Sequence, residues 1–129
     1  METIETKERV DIVDITEQVN ATIPDELNHG LCNVFVAHTT AGIVVNEAEG
    51  RLLDDIETVL GQLIPETEAY RHDQIDANAA AHLRSILLGS NSSVPIEGGT
   101  LALGTWQSLL LVESDGPRSR RIEVRCMAT

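Results

Sequence analysis

The sequence predicts one α+β domain, and three observations support this. The chain has 129 residues, a length that suits one domain with a single hydrophobic core. Segments that favour β-strands occupy both ends of the chain, whereas helical periodicity is confined to the middle. Strands grouped before and after the helices are typical of α+β proteins and not of a doubly wound sheet. We therefore expect residues 1–129 to form a single domain.

The first third of the chain predicts strands that are joined by short connections. Its segments are an extended, polar edge strand at 3–13, a short helix or turn at 14–23, a core strand at 31–37 and a short strand at 43–45. The core strand is rich in strand-forming residues and ends at His38, and Gly42 then breaks the chain. A histidine therefore lies at the end of an apolar strand, where loops meet.

The middle of the chain has a different hydrophobic period. Between residues 49 and 63, apolar residues recur at three- and four-residue spacing, which predicts an amphipathic helix that ends before Pro65. Residues 77–88 predict a second helix, with Gly89 as its stop signal. These are the two main helices of the predicted domain.

The last third of the chain returns to strands. They are predicted at 94–96, 100–103, 106–113 and 121–126. Gly98-Gly99 is a tight-turn signal between the first two of these strands. In the final strand apolar residues alternate with charged ones, so one of its faces is expected to be buried.

The charge of the chain argues against several classes of function. Acidic residues outnumber basic ones 21 to 9, and the formal net charge is −12. Such a surface repels nucleic acids and anionic lipids, so neither is expected as a partner. Lys7 is the only lysine, and an acidic surface with so few lysines indicates a halophilic protein, in which screening by salt removes the self-repulsion. An ordinary acidic protein, or one with a basic partner, is the alternative.

Signals for export and for membrane insertion are missing from the sequence. No apolar run approaches the roughly 20 residues that a membrane-spanning helix needs. The N-terminal residues are charged from Glu2 onward, unlike a secretory signal. We therefore expect a cytoplasmic protein, in which Cys32 and Cys126 are buried thiols and not a disulfide.

Three segments carry polar residues that strand and helix formation do not require. The first is His38-Thr39-Thr40-Ala41-Gly42 with Asn46-Glu47; the second is Tyr70-Arg71-His72-Asp73 with Asp76, Asn78 and His82; the third is Gly104-Thr105-Trp106-Gln107 with Glu113 and Asp115-Gly116-Pro117-Arg118. Taken one at a time, each segment also has a purely structural explanation.

The histidines illustrate both interpretations. An isolated histidine such as His38 is more often a hydrogen-bonded structural residue than a functional one. His72 and His82 could converge on one ion, because neutral imidazole is a common ligand for zinc and related metals. Their spacing, however, matches no standard zinc motif.

The third segment is equally open to two interpretations. Trp106 is the only tryptophan, and its simplest role is packing in the core. Arg118, with Arg120 and Arg121, forms the only basic cluster. Arginine is suited to bidentate phosphate contacts, although surface ion pairs would explain the cluster as well.

Taken together and in this order, the three segments resemble the YjbQ-like family, whose usual label is secondary thiamine-phosphate synthase. The resemblance runs from about residue 4 to residue 126. One loop departs from the family pattern, because residues 74–78 read Gln-Ile-Asp-Ala-Asn in place of Glu-Gly-Asn-Asp-Asn. This loop has therefore lost a glycine and an acidic residue.

The resemblance implies a compact fold with a β-sandwich or mixed-sheet core, assembled as a homotrimer. It also implies a pocket lined by His38, His72 and His82, which hold a divalent metal ion, most simply zinc or magnesium. Apolar residues on both faces of the 106–113 strand, such as Leu110 and Val112 on the second face, would also suit burial between subunits.

The family label implies an enzyme that joins a pyrimidine diphosphate to a thiazole phosphate and releases pyrophosphate. On this hypothesis Arg118 contacts phosphate, and Glu47 or Asp73 orients a ligand histidine or acts as a base. The positions expected to bind the cofactor or substrate are Thr39, Thr105 and Gln107.

Two other functions use the same residues. Three histidines leave an open position on a metal, where a bound hydroxide would make the protein a hydrolase of a small phosphorylated metabolite. The second alternative is a trimeric, non-enzymatic protein that captures such a metabolite. All three hypotheses share the same expected partner, a small phosphorylated molecule.

Overall fold

The computed structural model describes residues 1–129. In chain order the elements are β1 (Glu2–Glu5), β2 (Asp11–Asp14), α1 (Thr16–Asn20), β3 (His29–Val36), β4 (Ala41–Asn46), α2 (Gly50–Leu63), α3 (Asp73–Asp76), α4 (Ala79–Leu88), β5 (Asn91–Glu97), β6 (Thr100–Leu101), β7 (Ser108–Glu113) and β8 (Ser119–Ala128). The prediction of an α+β domain with two main helices, α2 and α4, is confirmed.

The strands form two antiparallel sheets. The larger has the order β1-β8-β3-β5-β6 and the smaller has the order β2-β7-β4. Side chains alternate along β3, so that Cys32, Val34 and Val36 point into the core. They share this core with Ile43 and Leu111 of the smaller sheet. The apolar faces of both sheets therefore meet in one core, as expected for a β-sandwich.

The N-terminal segment differs from the single edge strand predicted at 3–13. It contains two strands that belong to different sheets, because β1 pairs with β8 whereas β2 pairs with β7. The residues between them, Thr6 to Val10, cross from one sheet to the other. A change of sheet leaves no signature in hydrophobic periodicity, which explains why the sequence suggested one continuous element.

Strand β7 is the centre of the smaller sheet and is buried on both faces. Leu109 and Leu111 belong to the main core, and Leu110 and Val112 on the opposite face are 0% and 1% exposed. The second apolar face is therefore covered within one chain. The expectation that it is available for contact between subunits is wrong.

The two main helices are joined by a buried arginine. The Nε and Nη2 groups of Arg84, on α4, donate hydrogen bonds of 3.1 and 2.8 Å to the Ile64 carbonyl, just beyond the end of α2. Carbonyls at a helix C-terminus lack partners within the helix and carry partial negative charge, so a cation stabilises that end. Arg84 is only 3% exposed and thereby fixes α4 relative to α2.

The two cysteines face each other across β3 and β8. Cys32 pairs with Cys126 in the register of the two strands, and both are free thiols. Burial, together with a hydrogen bond to Cys126, raises the pKa of the Cys32 thiol to about 12. The expectation of unpaired thiols is confirmed, although Cys126 is only half-buried. None of the helices combines the length and the apolar character needed to cross a membrane.

The close packing of β3 against β8 generates the first prediction. A Cβ atom at Gly30 would lie 2.2 Å from the Met127 carbonyl oxygen, which is part of the backbone and cannot move aside cheaply. We expect Gly30→Ala to lower the free energy of unfolding by about 1–3 kcal/mol, as overpacking does elsewhere. Urea denaturation followed by circular dichroism measures this change.

Gly61 provides the matched control. It lies inside α2, and a Cβ atom there would meet no atom within 4 Å. Gly61→Ala should raise the free energy of unfolding by about 1 kcal/mol, because alanine favours the helix more than glycine does. Equal effects of the two substitutions would contradict the packing argument.

Candidate functional site

A polar cavity of about 680 Å³ lies at one end of the smaller sheet. It is bounded by the residues that precede β4, by those around the start of α4 and by the turn between β7 and β8. The lining residues are Ala37, His38, Thr39, Thr40, Asp76, Asn78, His82, Asp115, Pro117, Arg118, Ser119 and Arg120. All three polar segments of the sequence contribute to this cavity.

The floor of the cavity is a buried ion pair between Arg120 and Glu113. Arg120 Nε donates to Glu113 Oε1 at 2.7 Å, and Arg120 Nη2 donates to Glu113 Oε2. Arg120 Nη2 also donates to the Thr40 hydroxyl at 2.7 Å. Glu113 accepts a further bond of 2.8 Å from Thr6 Oγ1. Burial alone would raise the pKa of Glu113, but these bonds, led by the one from Arg120, lower it, so the pair stays ionised.

A second carboxylate, Asp115, holds Arg118 at the wall of the cavity. Arg118 Nη2 donates to Asp115 Oδ2 at 3.1 Å, and Arg118 Nε donates to the Asp115 carbonyl at 2.8 Å. Asn78 Nδ2 donates to the same Oδ2 at 2.9 Å. Burial opposes ionisation of Asp115, but the bonds from Asn78 and Arg118 lower its pKa. The guanidinium of Arg118 is therefore fixed on one side, and its Nη1 group remains free to bind a ligand.

His38 lies on the opposite wall as a hydrogen-bond acceptor. Its Nε2 accepts a bond of 2.8 Å from the backbone N–H of Arg121. Burial lowers the pKa of His38, and the nearby Arg120 and Arg121 charges lower it further. His38 is therefore neutral at neutral pH, and because Nε2 is an acceptor, its proton lies on Nδ1. Nδ1–H is the group that His38 can offer to a ligand.

His82 and His72 meet at the side of the cavity. Their ring centroids are 4.7 Å apart, and the rings are nearly perpendicular at 84°. His82 lines the polar cavity, whereas His72 lies in an adjoining apolar cleft of about 300 Å³ with Tyr70 and Leu83. Ser85 anchors the helix that carries His82, because its hydroxyl donates a 2.7 Å hydrogen bond to the Ala41 carbonyl at the start of β4.

The histidines do not form a complete metal site as they are arranged. No group of three or more His, Cys, Asp or Glu side chains is placed to hold a metal ion. Nε2 of His38 is already used by Arg121, and His72 does not line the cavity that His38 and His82 share. The residues of one chain therefore do not fit the three-histidine metal centre. Binding of zinc or magnesium stays a prediction.

Of the other residues predicted for the site, Thr39 and Asp73 lie near the cavity end of the smaller sheet. Thr39 lines the cavity, as expected of a binding residue. Asp73 does not line it; its Oδ1 accepts a 2.9 Å bond from the Ala79 N–H at the start of α4. Asp73 thus caps the start of α4, and its catalytic role stays a prediction.

Glu47, Thr105 and Gln107 lie away from the cavity. Glu47 follows the last residue of β4, and Thr105 and Gln107 precede the first residue of β7. Asn46 pairs with Ser108 at this end of the sheet, whereas the cavity adjoins the opposite end. Within one chain, these three residues do not line the cavity that Arg118 lines, and their roles stay predictions.

Trp106 also differs from its expected role. It is 74% exposed and does not pack in the core. The tight turn explains this, because Gln107 Oε1 accepts a 2.8 Å bond from the Gly104 N–H and so fills the inside of the turn. The indole is left on the outside.

Sequence reasoning assigned no role to Asn78 and Asp115, which line the cavity, or to Glu113 beneath it. Asn78 is 8% exposed, and its Oδ1 has no hydrogen-bond partner although it is buried. A buried amide oxygen without a partner is costly, and Asn78 is one of the residues that line the cavity. One feature of the sequence could have identified Glu113: it is an acidic residue directly after the apolar run Leu109 to Val112.

Comparison with known proteins gives one consistent result. Residues 2–129 match the family model described as UPF0047 protein YjbQ-like. A UPF0047 protein of Archaeoglobus fulgidus is 47% identical over 125 residues, which cover 97% of this chain and 98% of that protein. A YbjQ-like protein of unknown function from Sulfolobus solfataricus P2 has a TM-score of 0.95 at 39% identity, covering 99% of this chain and 94% of that one. A hypothetical protein from Aeropyrum pernix K1 has a TM-score of 0.94 at 38% identity, covering 99% and 96%.

The buried ion pair generates a prediction about stability and pH. Replacing Arg120 by methionine leaves Glu113 buried and unpaired, which should cost about 3–5 kcal/mol of unfolding free energy at pH 7. The loss should shrink towards pH 4, because the folded wild type depends on an ionised Glu113, whereas protonation relieves the unpaired charge of the variant. For the same reason the wild type should lose stability as the pH falls below about 4.5.

Denaturant titrations at several pH values measure both effects. Arg125→Met is the matched control, because its contact with Glu123 is long, at 3.8 Å, and lies on the surface. That substitution should change the unfolding free energy by less than about 0.5 kcal/mol at any pH. A loss for Arg120→Met that stayed constant from pH 7 to pH 4 would refute the assigned role of the ion pair.

Proposed function

Because the chain belongs to the UPF0047 family of YjbQ-like proteins, we propose that it is a cytoplasmic enzyme of the secondary thiamine-phosphate synthase type. Such an enzyme joins a pyrimidine diphosphate to a thiazole phosphate and releases pyrophosphate. The observation that carries the proposal is the guanidinium of Arg118, which Asp115 orients and which is exposed to the polar cavity.

Arg118 has the properties that phosphate binding requires. Two of its donor groups are held by Asp115, so binding a ligand at Nη1 costs little side-chain entropy. Its side chain is 53% exposed, and an anion can therefore reach it. The guanidinium of Arg120, by contrast, already donates hydrogen bonds to Glu113 and Thr40. In a chain of net charge −12, a fixed cation is also needed to offset the general repulsion of phosphate.

The other cavity residues supply groups for the proposed transfer. Negative charge develops on the departing pyrophosphate, and Arg118 would stabilise it, as fixed cations do in transition states. The Nδ1–H of His38 would donate to a phosphate or ring atom. The unpaired Oδ1 of Asn78 would accept from an N–H or O–H group of the substrate. His82, between the polar cavity and the apolar cleft, would contact both parts of a phosphorylated ring.

Non-enzymatic capture of a phosphorylated metabolite is the second candidate. It is favoured by the occupation of the two buried carboxylates, since Asp115 binds Arg118 and Asn78 and Glu113 binds Arg120. Asp76 is the remaining carboxylate of the cavity lining. Capture needs Arg118 but no base. The hydrolase hypothesis has less support, because it requires a metal-bound hydroxide and no three-ligand group is formed.

The phosphate contact generates a prediction for Arg118. We expect Arg118→Ala to weaken binding of inorganic pyrophosphate, measured by calorimetry, roughly ten- to hundredfold, because a charge-assisted hydrogen bond contributes about 1.5–3 kcal/mol. The same substitution should lower the rate of thiamine-phosphate formation from the two phosphorylated rings.

Arg125→Ala is the control, since Arg125 is an exposed arginine on β8 outside the cavity. It should change neither measurement. Pyrophosphate binding without product formation in the wild type would support capture over synthesis. Equal binding by the wild type and Arg118→Ala would refute the site itself.

The metal prediction is tested separately. If a divalent ion is bound, His82→Ala should remove it, because His82 lines the same cavity as His38 and its ring packs against that of His72. Elemental analysis of protein purified without chelators measures the content per chain. His29→Ala is the control, because His29 only pairs with Glu97 on the surface. Unchanged zinc or magnesium content in His82→Ala would overturn the metal assignment.

A further inference from the structure

The two cysteines form a pair on the core side of the larger sheet. Cys32 of β3 and Cys126 of β8 are direct partners in the antiparallel register. Cys32 belongs to the core, and Cys126 packs against it. Both are free thiols, and a hydrogen bond joins their side chains. The two sulfur groups are therefore already in contact in the reduced protein.

Backbone hydrogen bonds at both ends of the β3–β8 ladder determine how closely this pair is spaced. In an antiparallel ladder, partners that exchange backbone hydrogen bonds alternate with partners that do not. The Ala37 N–H donates to the Arg121 carbonyl at 3.1 Å, and the Thr129 N–H donates to the His29 carbonyl at 3.3 Å. Each bond continues the register by one step beyond its last pair and involves an odd-numbered residue of the β3 segment. The alternation therefore places the cysteine pair, at an even-numbered position of β3, among the partners without a backbone hydrogen bond.

This position provides the spacing that a disulfide requires. The Cα atoms of such partners lie roughly 4.5 Å apart, and their side chains are closer than in hydrogen-bonded pairs. A disulfide bridges Cα atoms that are about 4.4–6.8 Å apart. Because direct partners also point to the same face of the sheet, Cys32 and Cys126 can bond without a change in strand register.

We propose that Cys32 and Cys126 are an oxidation site, at which a peroxide converts the two thiols into a cross-strand disulfide. Cys126 reacts first, because it is only half-buried, whereas Cys32 is 0% exposed. Burial and the contact with Cys126 raise the pKa of Cys32 to about 12, which keeps this thiol protonated until Cys126 has been oxidised. Disulfides of cytosolic proteins are typically transient and redox-sensing, and an oxidation site of this kind agrees with the reduced thiols of the structure.

The oxidation consists of two successive substitutions. The Cys126 thiolate attacks one oxygen of hydrogen peroxide, so that the S–O bond of a sulfenic acid forms as the O–O bond breaks. The released hydroxide takes up the proton that Cys126 had lost and becomes water. The sulfur of Cys32 then forms the S–S bond, and the sulfenic oxygen leaves with the Cys32 proton as a second water. The two thiols lose two electrons in total, and these electrons reduce the peroxide.

The disulfide would stabilise the larger sheet and leave the cavity unchanged. Strand β8 lies between β1 and β3, and a bond from residue 32 to residue 126 closes a loop that contains most of the chain. Cross-links that close long loops restrict the unfolded chain most strongly. At roughly 3.4 Å per residue, Cys32 lies about 17 Å along the chain from Ala37, which lines the cavity. Oxidation therefore strengthens the fold without occupying the candidate site.

Treatment of the whole chain with hydrogen peroxide tests the proposal. The unfolded product should contain no free thiol, and digestion without reduction should give a peptide pair joined through Cys32 and Cys126. The midpoint of thermal unfolding should rise by about 5–15 °C, because the unfolded chain is cross-linked. Dithiothreitol should reverse this rise. Reversal separates the disulfide from oxidation of the exposed Met127, since dithiothreitol does not reduce methionine sulfoxide.

Single substitutions test the order of the two steps. In Cys32→Ala, peroxide should leave a sulfenic acid on Cys126, which dimedone traps, and the unfolding midpoint should not rise. In Cys126→Ser, Cys32 should stay reduced because it is buried. Free thiols that persist in the treated wild type, disulfides that join two chains in place of Cys32 and Cys126, or a midpoint that dithiothreitol does not change would each overturn the proposal. None of these readouts involves the cavity or its proposed substrate.

Discussion

The ion pair between Arg120 and Glu113 is the interaction on which the site depends. It joins the end of β7 to the start of β8 and, through Thr40 and Thr6, reaches the start of β4 and the end of β1. Two charges that are 2% and 0% exposed are costly to bury, and only a fully hydrogen-bonded arrangement offsets that cost. The ion pair therefore helps to fix the register of the strands in both sheets. Strands in another alignment would leave a buried charge without a partner.

The ion pair also determines which charged groups remain available for chemistry. Glu113 and Asp115 look alike in the sequence, as acidic residues at the end of an apolar strand, but both are occupied by hydrogen bonds from the fold. Arg120 is occupied as well, whereas Arg118 is anchored on one side and open on the other. Burial lowers the pKa of His38, and the charges of Arg120 and Arg121 lower it further, which keeps it a neutral acceptor of the Arg121 N–H. Structural and chemical roles are thus divided between residues that are close neighbours in the chain.

The third polar segment is divided between the two ends of the smaller sheet. Glu113 and Trp106 are separated by seven positions in the sequence, yet β7 carries them to opposite ends of the sheet. A strand extends about 3.4 Å per residue, so residues that are close in sequence are separated in space when a strand lies between them. Sequence proximity alone therefore does not place Trp106 and Glu113 in one site.

The sequence by itself determined the class of fold, the two main helices, most of the strands and the family, because hydrophobic periodicity and turn residues act locally and survive in a one-dimensional pattern. It also identified His38, His82, Thr39 and Arg118, which line one cavity. The tertiary structure decided which polar residues have structural roles. Asp73 caps a helix, Glu113 neutralises a buried arginine, and Trp106 points outward from a closed turn. These roles depend on distances between residues up to 107 positions apart, and such distances follow from sheet pairing, which has no local signal in the sequence.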